Sequence, residues 1–179
     1  MWKNENYYKA LVFAESKHRQ QKMIQPNGAP YIIHPISVAM LAFKYSANLK
    51  LNLDLIVVAA LLHDTIEDTQ TTLEEIEKEF GKDVAKGVLS LTRDEKLPEE
   101  KQIEDSVNRI SKLPKNLVRE IAIVKMSDRL FNLNNYMPIW DKAHREEYMV
   151  EANLILKKLG WASAKLKRDI LQVIKEYQK

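Results

Sequence analysis

The chain is organised around the segment Leu61-Leu62-His63-Asp64-Thr65-Ile66-Glu67-Asp68, which begins at the end of the most apolar run, residues 55–62. No Pro or Gly interrupts this run, and Asp54 directly precedes it as an expected N-cap. The pattern predicts one buried helix that continues into the polar residues. Four polar side chains would then lie at its C-terminal end: His63, Asp64, Glu67 and Asp68.

These four side chains would crowd one face of the helix, because positions four residues apart are neighbours on its surface. Three carboxylates gathered there repel one another. A bound cation is the simplest compensation, since imidazole and carboxylate groups are common metal ligands. The alternative is that His63 and Asp64 form a hydrogen-bonded structural pair or a surface pair, which is the more frequent role of such pairs in proteins.

The composition indicates one all-α domain. The chain has 179 residues, 45% hydrophobic and 30% charged, with only 4 Gly and 6 Pro. The absence of Cys excludes disulfides and thiolate metal sites and is compatible with the cytoplasm, the expected location. We expect a single domain over residues 1–179, with a motif-bearing core at about 8–159 and a C-terminal helix at about 162–177.

Neither a membrane nor a nucleic acid is an expected partner. Residues 1–8 contain no apolar signal core, and the longest apolar run is far too short to span a bilayer. The net charge of +3 is mild, and no concentrated basic stripe occurs. The Lys-rich helix faces would still help to attract an anionic small molecule.

Turn and cap residues predict the remaining helix boundaries. Residues 26–30 break the chain after a first helix, and Gly81 ends a helix that Thr71 caps. His34 precedes Pro35 and is therefore expected to be extended, just before the second helix. Besides the central helix, the predicted helices span about 4–21, 35–45, 71–80, 83–91, 99–112, 116–134, 145–159 and 162–177.

Asp128 is a carboxylate in a segment, residues 121–133, that is apolar enough to be largely buried. Lys125 and Asn132 lie on the same helix face, one turn to either side. Asp128 either forms a structural ion pair with Lys125 or Arg129, or supplies a distant metal ligand. The sequence of this helix leaves the two possibilities open.

Together, three segments supply two imidazoles and two carboxylates: His34, His63, Asp64 and Asp128. Such a set suits a divalent metal such as manganese, iron or zinc, with coordination positions left open for water. Glu67 and Asp68 would stand beside the metal and orient or deprotonate the attacking water. The arrangement is typical of a hydrolase that acts on a phosphoryl group.

These residues resemble the motifs of a known family. The order His…His-Asp…Asp is that of the HD superfamily of metal-dependent phosphohydrolases. More closely, the chain is similar to the hydrolase domain of RelA/SpoT proteins, in particular to the stand-alone small alarmone hydrolases, the group that includes the metazoan SpoT homologue. The similarity runs from about Tyr8 to Leu159 and is carried by residues 17–21, 28–35, 60–69 and 125–133.

The resemblance implies a manganese-dependent guanosine-3′,5′-bis(diphosphate) 3′-pyrophosphohydrolase, which would convert (p)ppGpp to GDP or GTP and pyrophosphate. Other divalent metals would also fit. The resemblance assigns metal binding to His34, His63, Asp64 and Asp128, and the activation of water to Glu67 and Asp68. The nucleotide or its phosphates would contact Arg19, Lys22, Lys96, Asn132, His144, Arg145 and Tyr148. A solvated surface position is the alternative for this last group.

One departure concerns the substrate. Close relatives carry two further basic residues where this chain has Met23 and Ile24. Stacking and phosphate contacts made there by cations must be weaker or absent here. Relatives in this group are also associated with NADPH 2′-phosphatase activity, so another phosphorylated nucleotide stays open as the substrate. A non-catalytic nucleotide-binding protein is disfavoured, because Glu67 and Asp68 accompany a full set of ligands.

Overall fold

The computed structural model describes residues 4–23 and 28–177, and within these ranges the chain is all-α, as predicted. The α-helices are α1 (Asn4–His18), α2 (Ile33–Ser46), α3 (Leu53–Leu62), α4 (Thr65–Asp68), α5 (Leu73–Phe80), α6 (Lys82–Leu91), α7 (Glu99–Ser111), α8 (Val118–Asn135), α9 (Lys142–Leu159) and α10 (Ala164–Tyr177). A 3₁₀ turn, Met137–Ile139, joins α8 to α9. None of the described helices combines the length and apolarity needed to cross a bilayer.

Helix α3 forms the centre of the fold because it is apolar on every side. Every residue from Leu55 to Leu62 is buried, and the helix packs against α1, α2, α6 and α8. A helix that is hydrophobic all round is stable only when neighbours cover it. The C-terminal end of α3 therefore lies deep in the molecule, with His63 only 4% exposed.

Helix α8 is the second buried helix and packs against α2, α3 and α10. Its residues 120–131 are all buried, and they include the charged side chains of Lys125, Asp128 and Arg129. The first turn of α2, the end of α3 and the middle of α8 thus meet inside the molecule. Polar groups buried at this meeting point need hydrogen-bond or ion-pair partners, because burial removes them from water.

His34 is not extended, as the following proline had predicted, but is the second residue of α2. Pro35 sits in the first turn of that helix, where the N–H that proline lacks would have no helical partner anyway. The N–H of His34 donates to the carbonyl of Tyr31 at 2.8 Å. The helix therefore fixes the His34 ring in a buried position.

The prediction of one uninterrupted central helix is wrong. Helix α3 ends at Leu62, His63 and Asp64 form a turn, and α4 follows as a separate short helix. Side chains occupy the last carbonyls of α3: Thr65 Oγ1 donates to Leu62 at 2.7 Å, and His63 Nδ1 lies 2.7 Å from the carbonyl of Ala60. Such local side-chain hydrogen bonds compete with helix continuation.

The caps of two helices also differ from the prediction. Asn52, not Asp54, caps α3 through its side-chain oxygen, and Thr72, not Thr71, caps α5. In each case the cap oxygen accepts an amide hydrogen of the first turn. Gly81 separates α5 from α6 as predicted, with φ of 87°, a conformation that favours glycine.

Candidate active site

The first turn of α2, the end of α3 and the middle of α8 bring His34, His63 and Asp128 together. One potential ligand atom from each of these buried residues lies within 4.8 Å of the other two. The Nε2 atoms of the two rings are 3.2 Å apart. Asp128 Oδ1 is 3.5 Å from Nε2 of His34 and 3.8 Å from Nε2 of His63.

This donor set fits a divalent cation. In the neutral form of His63, Nδ1 donates to the carbonyl of Ala60, which leaves Nε2 without a proton and available as a metal ligand. His34 presents its own Nε2 to the same buried point, beside the Asp128 carboxylate. A cation there compensates groups that would otherwise be costly to bury together. The three residues are a candidate site for a divalent metal.

Asp64 lies beside these three residues. Its Oδ2 atom is 3.1 Å from Nε2 of His63 and 3.3 Å from Nε2 of His34. Burial opposes ionisation of Asp64, but the charge of His63 and hydrogen bonds from both rings outweigh it and hold the pKa well below its usual range. Asp64 is therefore an anion at the edge of the candidate metal site, and its role as a fourth ligand stays a prediction.

The two oxygens of Asp128 face different partners. Oδ1 accepts a hydrogen bond from Asn132 Nδ2 at 2.8 Å and faces the histidines, while Oδ2 lies 3.8 Å from Lys125 Nζ. Arg129 pairs instead with Glu151 at 2.9 Å. Asp128 therefore pairs with Lys125 through one oxygen and lies next to the histidines with the other.

Glu67 and Asp68 line the same cleft as the histidines. Glu67 Oε2 accepts the backbone N–H of Arg93 at 2.8 Å, and the guanidinium Nε of Arg93 lies 3.5 Å from Oε1. Asp68 Oδ2 lies 3.1 Å from the hydroxyl oxygen of Tyr31. Burial raises the pKa of the Glu67 carboxyl; burial and the charge of Asp64 raise that of Asp68. A raised pKa makes a carboxylate a better proton acceptor.

The cleft has a volume of about 280 Å³ and contains part of the predicted substrate-binding set. Its lining includes Lys22, Asn132, His144 and Tyr148. Arg19 lies outside the lining, in an exposed ion pair with Glu15 at 2.8 Å. Lys96 and Arg145 also lie outside it. Contact of these seven residues with a substrate stays a prediction.

Several residues of the cleft were not predicted from the sequence. Tyr31 stands in the motif of residues 28–35, which offered a signal for it. Arg93 belongs to a charged loop that gave no reason to expect more than solvation. Tyr136 and Trp140 lie in the link between α8 and α9 and also line the cleft.

Met23 is buried, with 8% of its surface exposed, and it is part of the hydrophobic core. It does not line the cleft. Its backbone N–H donates to the carbonyl of Ala29 at 2.9 Å. Position 23 therefore supplies neither a cation nor a stacking surface to the cleft. Ile24 lies outside the described residues.

Comparisons with known proteins identify similar chains. The guanosine-3′,5′-bis(diphosphate) 3′-pyrophosphohydrolase MESH1 of Mus musculus is 37% identical over 172 residues, 93% of this chain and 92% of the relative. The Homo sapiens protein of the same name is 36% identical over 172 residues, with the same coverage of 93% and 92%.

A solved structure described as "A metazoan ortholog of SpoT hydrolyzes ppGpp and plays a role in starvation responses" matches with a TM-score of 0.83 and 27% identity. The match covers 99% of this chain and 98% of that chain, which confirms the predicted fold. The HD domain family matches residues 10–160, a range that includes every residue of the candidate metal site. This chain therefore belongs to the HD domain family.

Proposed function

We propose that this protein is a metal-dependent guanosine-3′,5′-bis(diphosphate) 3′-pyrophosphohydrolase, which converts (p)ppGpp to GDP or GTP and pyrophosphate. The observation that carries the proposal is the buried convergence of His34, His63 and Asp128 within 4.8 Å, in the cleft that Glu67 also lines. The relatives named for this activity support it, because their similarity extends over 93% of the chain.

The reaction adds water across the bond between the ribose 3′ oxygen and the adjoining phosphorus. Glu67 accepts a proton from a water molecule while the oxygen of that water attacks the phosphorus atom. Asp68 orients the same water. The 3′ oxygen leaves with the bonding electrons and takes up a proton, which gives GDP or GTP and pyrophosphate. A divalent ion held by His34, His63 and Asp128 would lower the pKa of the water and polarise a phosphoryl oxygen.

We propose manganese as this ion, held by His34, His63, Asp64 and Asp128. Mixed imidazole and carboxylate ligands suit borderline divalent metals, so iron and zinc are the competing occupants. Lys22 and Arg93 add positive charge to the cleft wall, where the phosphates of the substrate need it. We also propose a cytoplasmic location, with which the absence of Cys from the sequence is compatible.

A second candidate is a phosphatase that acts on another phosphorylated nucleotide, such as NADPH. The burial of Met23 favours this candidate, because position 23 supplies no cation to the cleft. Without that cation the cleft holds one group fewer to select the alarmone.

Purified protein incubated with Mn²⁺ and either ppGpp or NADPH separates the two candidates. Release of pyrophosphate and GDP from ppGpp, with no phosphate from NADPH, is the result we expect. Phosphate from NADPH with ppGpp left intact would establish the second candidate instead. Turnover of neither compound would refute both enzymatic functions.

A further inference from the structure

We propose that Trp140 is the stacking surface for the nucleobase of the substrate. The inference rests on the proposed function, since it deepens the account of the nucleotide cleft. Its starting point is a contiguous cluster of four rings in the lining of that cleft, the aromatic wall, formed by Tyr136, Trp140, His144 and Tyr148.

Trp140 contacts each of the other three rings of the wall. Its ring centroid lies 4.5 Å from that of His144, 4.6 Å from that of Tyr148 and 5.9 Å from that of Tyr136. The indole is only partly buried and lines the cleft. Aromatic rings bind nucleobases by stacking, which suits any base because every base has a π face.

Contacts with buried residues fix the Tyr148 ring of the wall. The guanidinium carbon of Arg129 lies 3.6 Å from the centre of the Tyr148 ring, and Arg129 itself is 1% exposed and paired with Glu151. Tyr148 packs in turn against Trp140. A surface fixed in advance loses little conformational entropy when a base binds.

The wall also reaches the candidate metal site. Phe131 contacts the His34 ring with a centroid distance of 4.8 Å, and Tyr136 lies 6.1 Å from Phe131. Tyr136 is followed by Trp140. Two rings thus separate the indole from a metal-site histidine, so one nucleotide has both its base surface and its phosphate site in the same cleft.

The rest of the cleft lining offers no comparable surface among the described residues. Met23 is buried in the core, and the Lys22 side chain is not aromatic. Tyr31 is already engaged, because its hydroxyl donates to Asp64 and lies 3.1 Å from Asp68, and its ring contacts the rings of His18 and His34. Base recognition therefore falls to Trp140.

The test uses GDP as a nucleotide probe and inorganic pyrophosphate as a probe without a base. Calorimetry at constant Mn²⁺ measures the binding of both to the wild type, Trp140→Phe, Trp140→Leu and Trp161→Phe. Trp161 is 57% exposed outside the cleft and serves as the matched control. Indole fluorescence is recorded in the same titrations.

We expect Trp140→Leu to bind GDP about tenfold more weakly, within the range that base stacking supports, and to bind pyrophosphate as the wild type does. GDP should quench the indole fluorescence of the wild type and of Trp161→Phe. Trp140→Phe should retain most of the GDP affinity but lose this quenching. Unchanged GDP affinity in Trp140→Leu, or an equal loss for GDP and pyrophosphate, would overturn the inference. Quenching by GDP in a wild type that leaves ppGpp intact would refute the proposed function while supporting the stacking surface.

Discussion

The hydroxyl of Tyr31 donates a hydrogen bond of 2.6 Å to Oδ2 of Asp64. The same hydroxyl lies 3.1 Å from Oδ2 of Asp68, so one phenol bridges the candidate metal site and one of the two candidate water-activating carboxylates. Burial and the neighbouring Asp64 and Asp68 charges raise the pKa of Tyr31 far above its usual range. The phenol therefore stays protonated at neutral pH and remains a hydrogen-bond donor.

Tyr31→Phe should lower kcat for ppGpp and weaken Mn²⁺ binding, each by about tenfold, because hydrogen bonds to metal ligands tune their orientation. The ring itself should stay packed against His18 and His34. Steady-state kinetics and a Mn²⁺ titration measure the two effects. Tyr45→Phe is the matched control, since it removes a 2.6 Å hydrogen bond to Asp169 that lies outside the cleft. Equal behaviour of the two variants would contradict the bridging role.

Glu67→Gln should lower kcat by about 100-fold or more, the usual contribution of a positioned proton acceptor. The amide oxygen can still accept the N–H of Arg93, so the local backbone should be preserved. Mn²⁺ affinity should stay near that of the wild type. Glu99→Gln, an exposed position in the lining of the same cleft, controls for the loss of a negative charge. Full turnover in Glu67→Gln would remove this residue from the mechanism.

Asp64→Ala should abolish both Mn²⁺ binding and turnover, because it removes an anion whose Oδ2 lies 3.1 Å and 3.3 Å from the two histidine nitrogens. Calorimetric Mn²⁺ titration and pyrophosphate release measure the two properties separately. Mn²⁺ binding at wild-type affinity in the variant would show that Asp64 is not a ligand.

Ile56→Ala should destabilise the fold by about 2–5 kcal/mol, the range for a large-to-small change in a packed core. Ile56 is 0% exposed in α3, the helix that ends at His63. Urea unfolding measures the change, and Val150→Ala, at a position 70% exposed, should change stability by less than about 0.5 kcal/mol. A similar loss in both variants would contradict the central position of α3.

The sequence predicted much of this fold because its strongest signals are local. The uninterrupted apolar run before His63 indicated a buried helix, and Gly81 marked the boundary between α5 and α6. The helical bounds near Leu91 and Leu159 also agree with the prediction. Each of these features depends on neighbouring residues alone.

The remaining features depend on particular side-chain hydrogen bonds, some of them local and some between distant segments. The break after Leu62 arises where side chains take the last carbonyls of α3, and α9 begins at Lys142 because Asp141 caps it. Arg93 reaches Glu67 only once the loop after α6 has folded against α4. No spacing rule within one segment predicts such contacts.

The central claim is that His34, His63 and Asp128 share a single metal ion. A crystal of the protein grown with Mn²⁺, measured at the manganese absorption edge, tests it directly. We expect one strong anomalous peak, in contact with Nε2 of His34, Nε2 of His63 and a carboxylate oxygen of Asp128. An anomalous peak elsewhere, or none in the cleft at saturating Mn²⁺, would contradict the claim.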